Sequence, residues 1–138
     1  MKKIGMLIVV LLVTAQARAQ DKNYLAKIEY EMAEEALAAK KYSECSTHLN
    51  KAVEFLGKSN FKIDYMYIMN FYDYLQNPSV QQEQKNSYYI TLGDKTQKFL
   101  KDYADTENKD KYAEVYRIQS NNEPKKKEQE KVYKEQYG

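Results

Sequence analysis

Residues 24–57, YLAKIEYEMAEEALAAKKYSECSTHLNKAVEFLG, constrain this chain more than any other stretch. Leu25, Ile28, Met32, Ala33, Ala36 and Leu37 recur at three- and four-residue spacing, while Glu29, Glu31, Glu34 and Glu35 supply a wet side. That period is helical. Lys40 and Lys41 close the pattern, where positive charge suits a helix C-terminus. A second helical set comes next, starting near Tyr42 and Ser43, with Ser43 as its expected cap: Cys45, Leu49, Ala52, Val53, Phe55 and Leu56. Gly57 stands where a helix ends in the left-handed conformation that glycine adopts without strain. Two helices joined by so short a break are antiparallel neighbours, and their small residues allow a close approach. The stretch therefore predicts a helical hairpin, with the rest of the chain extending or closing its core.

Composition agrees. Gly (4) and Pro (2) are scarce in the 138 residues, Trp is absent and Tyr reaches 14. No long β-branched run occurs after residue 19, so an all-α fold is expected. The N-terminus reads as a signal peptide over residues 1–19: Lys2 and Lys3, then the apolar run 4–13, then the Ala17-Arg18-Ala19 cleavage pattern. That run is too short for a membrane span, which needs roughly 20 residues. Retention as an uncleaved anchor is the alternative. With Lys2, Lys3 and Arg18 removed, the basic count falls from 22 to 19 against 20 acidic residues, so the mature chain carries about −1. A basic nucleic-acid footprint is therefore not expected. Export, to the periplasm or beyond, is.

Downstream, residues 62–75 carry Ile63, Tyr65, Met66, Tyr67, Ile68, Met69, Phe71, Tyr72, Tyr74 and Leu75, leaving almost no polar face. A helix apolar most of the way round is buried on more than one side. It is predicted to be central, touching the hairpin on one side and a later helix on the other. A tyrosine-lined binding face is the rival reading. Asn77 and Pro78 end it. Ser79 is a candidate cap for the next segment. Residues 80–85 read as a loop or an exposed first turn, and a fourth helix is recognisable from Tyr88 to about Asp102, weakened by Gly93. A short fifth helix is expected over 111–119, capped by Asn108 or Asp110. Beyond it, SNNEPKKKEQEKVYKEQYG predicts a polar tail over 120–138, disordered or partly helical through pairs such as Glu130 and Lys134, with Pro124 preventing smooth continuation. The helical domain is thus read as 20–119, with about five helices.

The hairpin resembles a tetratricopeptide repeat, a 34-residue helix–turn–helix unit. Residues 26–59 lay onto one unit: Met32 and Ala33 on its leucine–glycine pair, Tyr42 on the aromatic opening the second helix, and Cys45, Leu49 and Ala52 on its small, large and small positions. Glu29, Ala36 and Gly57 depart from the repeat's tryptophan, tyrosine and proline, and a second unit from Asn60 onward keeps only the shape of its first helix. The chain also resembles exported helical modules of Bacteroidetes-type envelope proteins, in AAKKYSECSTHLNKAVEFLGKSNFKIDYMYI and the later KYAEV. The repeat resemblance implies a concave face contributed by first helices. It makes Lys27, Tyr30, Glu34 and Leu37, with Phe61, Asp64, Ile68 and Phe71 of the third helix, the candidate contacts for a protein or peptide partner, anchored by Tyr30 and Phe71.

Chemistry-bearing motifs are few. His48 is the single histidine and Cys45 the single cysteine, three residues apart on one helix. A thiol and imidazole form a nucleophile–base pair only with a group that orients the base, and the sequence places none beside them. Cys45 reads as a buried spacer. No CxxC, GxGxxG or GxxxxGK[ST] occurs, so no catalytic, cofactor or metal site is expected. The expected function is an exported, non-enzymatic helical scaffold that binds a protein or peptide. The alternative is a structural subunit or obligate oligomer whose third helix is completed by another chain.

Overall fold

A computed structural model of the chain describes residues 21–138. The signal-peptide reading of residues 1–19 falls outside the described residues. The fold is all-α, and the described residues form five helices: α1 (described over 21–38), α2 (Tyr42–Leu56), α3 (Phe61–Gln76), α4 (Gln82–Asp102) and α5 (Lys109–Tyr137). Among the described residues no helix is long and apolar enough to cross a membrane.

The hairpin forms as its sequence requires, but with smaller contacts than expected. Ala26, Ala33 and Ala36 of α1 meet Cys45, Leu49 and Ala52 of α2 in one core, while Leu25 and Met32 remain 41 % exposed. Alanine, not the larger residue beside it, faces the partner, because only a methyl-sized side chain fits where two helix backbones run close. The turn has a Schellman geometry: Lys41 N donates to Ala36 O at 2.8 Å and Lys40 N to Leu37 O at 2.9 Å. Lys40 takes the left-handed position at φ 61°, which usually falls to glycine. Gly57 fills the equivalent role after α2 at φ 75°, donating to Val53 O.

α3 is central, as its apolar girth predicts. Ile63 and Met66 complete the first core. Ile68 and Leu75 belong to a second, shared with Tyr89, Leu92 and Phe99 of α4 and Val115 and Ile118 of α5. The two sets lie on different stripes of one helix. The α2-facing stripe runs Ile63, Met66, Asn70, Asp73, Asn77: apolar at its start, polar from Asn70 onward. Asn60 caps α3, its side chain accepting from Ile63 N at 2.9 Å.

Three expectations along the chain need correction. Ser43 lies inside α2, whose first residue is Tyr42 and whose cap position, Lys41, makes no side-chain capping bond. Of the two readings of residues 80–85, the helical first turn holds from Gln82, and the cap position of α4 is Gln81, not Ser79. Its polar first turns escaped the apolar period because they reach past the second core. α5 starts after Asn108, whose side chain accepts from Lys111 N at 3.2 Å, but does not stop at Gln119. It continues through Pro124 to Tyr137. An interior proline costs about 3 kcal/mol in a free helix, so docking must offset it. Asn122 Nδ2 donates to Tyr89 O at 2.8 Å, Lys126 reaches Asp94 at 3.2 Å, and Lys125 Nζ lies 5.0 Å from the Tyr89 ring centre. These contacts flank Pro124 and hold α5 along α4. Further along, the helix is supported by the pairs Lys126–Glu130 and Lys131–Glu135, each at 3.9 Å, rather than by Glu130–Lys134.

Candidate functional site

The polar half of the α2–α3 interface opens into a cleft of about 440 Å³. Tyr42, Ser43 and Ser46 line it from α2, Asn70, Phe71 and Tyr74 from α3, and Tyr88 from α4. The cause is local. Where α2 and α3 oppose Leu49 and Ala52 to Ile63 and Met66, the space is filled. One to two turns on, α2 offers serines, α3 offers an amide, and the gap between them is not closed.

Aromatic rings form the walls. Tyr42 and Tyr74 meet edge to face with centroids 5.3 Å apart, Tyr74 and Tyr88 likewise at 5.2 Å, and Phe71 and Tyr88 are tilted at 5.6 Å. Lys95 Nζ caps the Phe71 ring at 5.6 Å. Asn70, only 3 % exposed, lies deepest. Its Nδ2 donates to Tyr42 O and to Ser46 Oγ, both at 3.0 Å. Because a carbonyl only accepts, the bond to Tyr42 O fixes which way the amide points. Asn70 Oδ1 is then a buried acceptor with no donor. Native buried polar groups are overwhelmingly paired, which makes this atom unusual.

A charged network borders the cleft and shares only Tyr42 with its lining. Lys40 Nζ donates to both Asp73 oxygens at 2.8 Å, Tyr42 OH donates to Asp73 Oδ2 at 2.7 Å, and Asn77 Nδ2 donates to Tyr42 OH at 2.9 Å. Burial pushes the Asp73 carboxyl up, but the Lys40 and Tyr42 hydrogen bonds outweigh it and hold the group below the usual carboxylate range. Lys40 is raised in turn, chiefly by its bond to Asp73. The network ties the hairpin turn to the end of α3 and fixes the Tyr42 ring. It also holds Lys40 in its left-handed position.

The eight contacts expected from the sequence do not share one face. Phe71 is in the cleft. Lys27 and Tyr30 line a separate, shallower recess of about 200 Å³ with Leu56, Asn60 and Ile63. Glu34 is exposed and Leu37 packs on the first core. Phe61 is held between Phe99 and Tyr103, with ring centres 5.1 and 5.2 Å away, and Asp64 accepts from Ser59 Oγ at 2.6 Å and Tyr103 OH at 2.5 Å. Ile68 is sealed in the second core at 1 % exposure and presents nothing to a partner. A concave face made of first helices places α3 residues outward, whereas here α4 and α5 cover that side. Sequence reading missed six of the cleft residues. The available signal was Asn70, an amide on the apolar stripe of α3.

Cys45 is fully buried, and burial pushes its thiol up to about 11. His48 does have an orienting carboxylate that the sequence did not reveal, but across the hairpin: its Nδ1 lies 2.6 Å from Glu29 Oε2 of α1. Against a carboxylate, which only accepts, the ring nitrogen is the donor. The bond braces α1 on α2. Among the described residues, no group of three or more His, Cys, Asp or Glu side chains is placed to hold a metal ion. Comparison with protein-family models, curated proteins and solved structures finds no match to the chain.

Proposed function

We propose that the protein is an exported, non-enzymatic helical scaffold that binds a protein or peptide partner in the cell envelope through the cleft between α2, α3 and α4. One observation carries this reading: an open, aromatic-walled recess lined in part by Asn70, whose buried Oδ1 has no donor. Its volume falls within the range of sites that take a small molecule or a few side chains, and tyrosines are the residues that most often anchor such contacts. Export rests on the signal pattern of residues 1–19. Kinship with tetratricopeptide repeats rests on residues 26–59, whose Ala33, Cys45, Leu49 and Ala52 are all fully buried at the helix crossing as such a unit needs, and kinship with Bacteroidetes-type envelope modules rests on residues 38–68 and 111–115. The alternative, a subunit completed by another chain, drew on an uncovered α3. That helix has α2 on one side and α4 and α5 on the other within its own chain.

The test is a photoreactive amino acid placed at Tyr88, which is 38 % exposed, in cells exporting the chain. Discrete cross-linked adducts from position 88, absent when the same group stands at Tyr116 on α5, are expected. Equal or no adducts from the two positions would remove the cleft as the binding face. Fractionation with mass spectrometry checks export: a mature chain starting at Gln20 is expected, and one retaining residues 1–19 in the cytoplasm refutes it.

A further inference from the structure

We infer that the cleft takes an indole ring, the side chain of a tryptophan in the partner, with its ring N–H donated to Asn70 Oδ1. The inference rests on the proposed binding role of the cleft and names the anchor it receives. Four features narrow the ligand. The recess of about 440 Å³ has room for one large ring with its flanking backbone, but not for a helix or an extended strand. Its walls are the rings of Tyr42, Phe71, Tyr74 and Tyr88, which favour an inserted aromatic group through edge-to-face and offset contacts.

The third feature is charge. No ionised side chain lines the recess, and the nearby carboxylate, Asp73, is already neutralised by Lys40. Lys95 stands over the outer face of Phe71. An ammonium or guanidinium guest would find no free carboxylate, with Lys95 already over Phe71, and an anion would have to leave water for an aromatic recess without a charged partner. The guest is therefore uncharged.

The fourth is the hydrogen bond. Asn70 Nδ2 is spent on Tyr42 O and Ser46 Oγ, so the amide has only an acceptor left. A guest with a donor and no competing acceptor suits it best, and the indole N–H is a donor only. A phenyl ring supplies no donor. A phenol supplies one but also carries lone pairs that would be buried without a partner. Oδ1 has almost no surface open to water, so the guest's N–H reaches it by displacing the side chains that cover it, and the hydrogen bond made there is kept from water. Tyr88, the most exposed ring of the four, forms the outer wall against which an inserted ring packs.

The chain has no tryptophan, so indole emission reports the guest alone. The experiment titrates the protein into N-acetyl-tryptophanamide, excited beyond tyrosine absorption. Its 1-methylindole analogue, N-acetyl-phenylalaninamide and glucose serve as competitors. Saturable, blue-shifted binding is expected, with the 1-methyl and phenyl analogues about tenfold weaker, as loss of one buried hydrogen bond gives. Tyr88→Ala should abolish it, while Tyr116→Ala should leave it unchanged. Equal binding of the 1-methyl analogue, stronger binding of the phenyl compound or the sugar, insensitivity to Tyr88→Ala, or no saturation up to the solubility limit each overturns the assignment. The methylated probe leaves the protein untouched, so a folding defect cannot imitate its effect. Cross-links from position 88 that persist while indole fails to bind would sink only the anchor. Loss of both would sink the cleft itself.

Discussion

Replacing Gly93 by alanine sets two effects of known size against each other. In a free helix the change stabilises by about 1 kcal/mol, because glycine is the poorer helix former. In the folded chain, a Cβ on Gly93 would stand 2.5 Å from Lys126 Cδ, 3.2 Å from Lys126 Cε and 3.4 Å from Asn122 Nδ2. The lysine stem must then lift away. Doing so disturbs the Asn122–Tyr89 hydrogen bond beside it, worth about 1 kcal/mol, with a further penalty of roughly 1–3 kcal/mol if the buried amide is left unpaired. The clash therefore cancels or outweighs the propensity gain, and Gly93→Ala is expected to destabilise the protein by about 0–3 kcal/mol. Removing the obstruction should reverse the sign. In a Lys126→Ala background the two closest atoms are gone and Asn122 Nδ2, at 3.4 Å, is at ordinary contact distance, so Gly93→Ala should stabilise by about 1 kcal/mol. Urea unfolding of the four proteins of this cycle measures the coupling, expected at about 1–4 kcal/mol with m unchanged. If Gly93→Ala stabilises both backgrounds equally, Lys126 does not lie on Gly93, and the docking of α5 beyond Pro124 falls with it.

Other outcomes concern individual groups. Cys45 should resist thiol reagents in the native protein and react fully in urea. Because its ionisation is displaced from about 8.5 up to about 11, its neutral burial contributes stability that is fully present below the ordinary thiol value and is lost as pH rises toward the folded one. Asp73 behaves oppositely: its depressed folded ionisation contributes stability that is present above the ordinary carboxylate value of about 3.9 and is lost as pH falls through the lower folded value. Asp73→Asn should accordingly lower stability at neutral pH and flatten its decline below about pH 4 in denaturant titrations; an unchanged acid limb refutes the network. Tyr65 and Tyr103 are raised by burial first and then by their hydrogen bonds to Glu114 and Asp64. In a spectrophotometric alkaline titration they should ionise only as the fold opens, so stability present below about pH 10 is lost above it, and Glu114→Gln should bring Tyr65 partly back toward the others.

Legibility differed along the chain for physical reasons. The hairpin and α3 were readable because their signals are local: three- and four-residue apolar spacing, a left-handed glycine after α2, and a proline after α3. The far end of α5 was not. Its sequence after Gln119 is polar because one face is wet and the other docks through an amide, a lysine stem and a ring contact, none of which registers as an apolar period. The cleft was hidden for a related reason. Tyr42, Asn70 and Tyr88 are each ordinary in sequence, and they meet only because α4 folds back beside the α2–α3 pair.

The sequence by itself determined an all-α chain, the close hairpin and the central, twice-buried α3, because helix period and residue size act between near neighbours. Tertiary structure alone decided that a helix runs through Pro124, that Gly93 is a seat for Lys126, and that the α2–α3 interface is left open where its stripe turns polar. Each depends on which distant groups supply or withhold a partner, as at Asn70 Oδ1, which is buried without a donor.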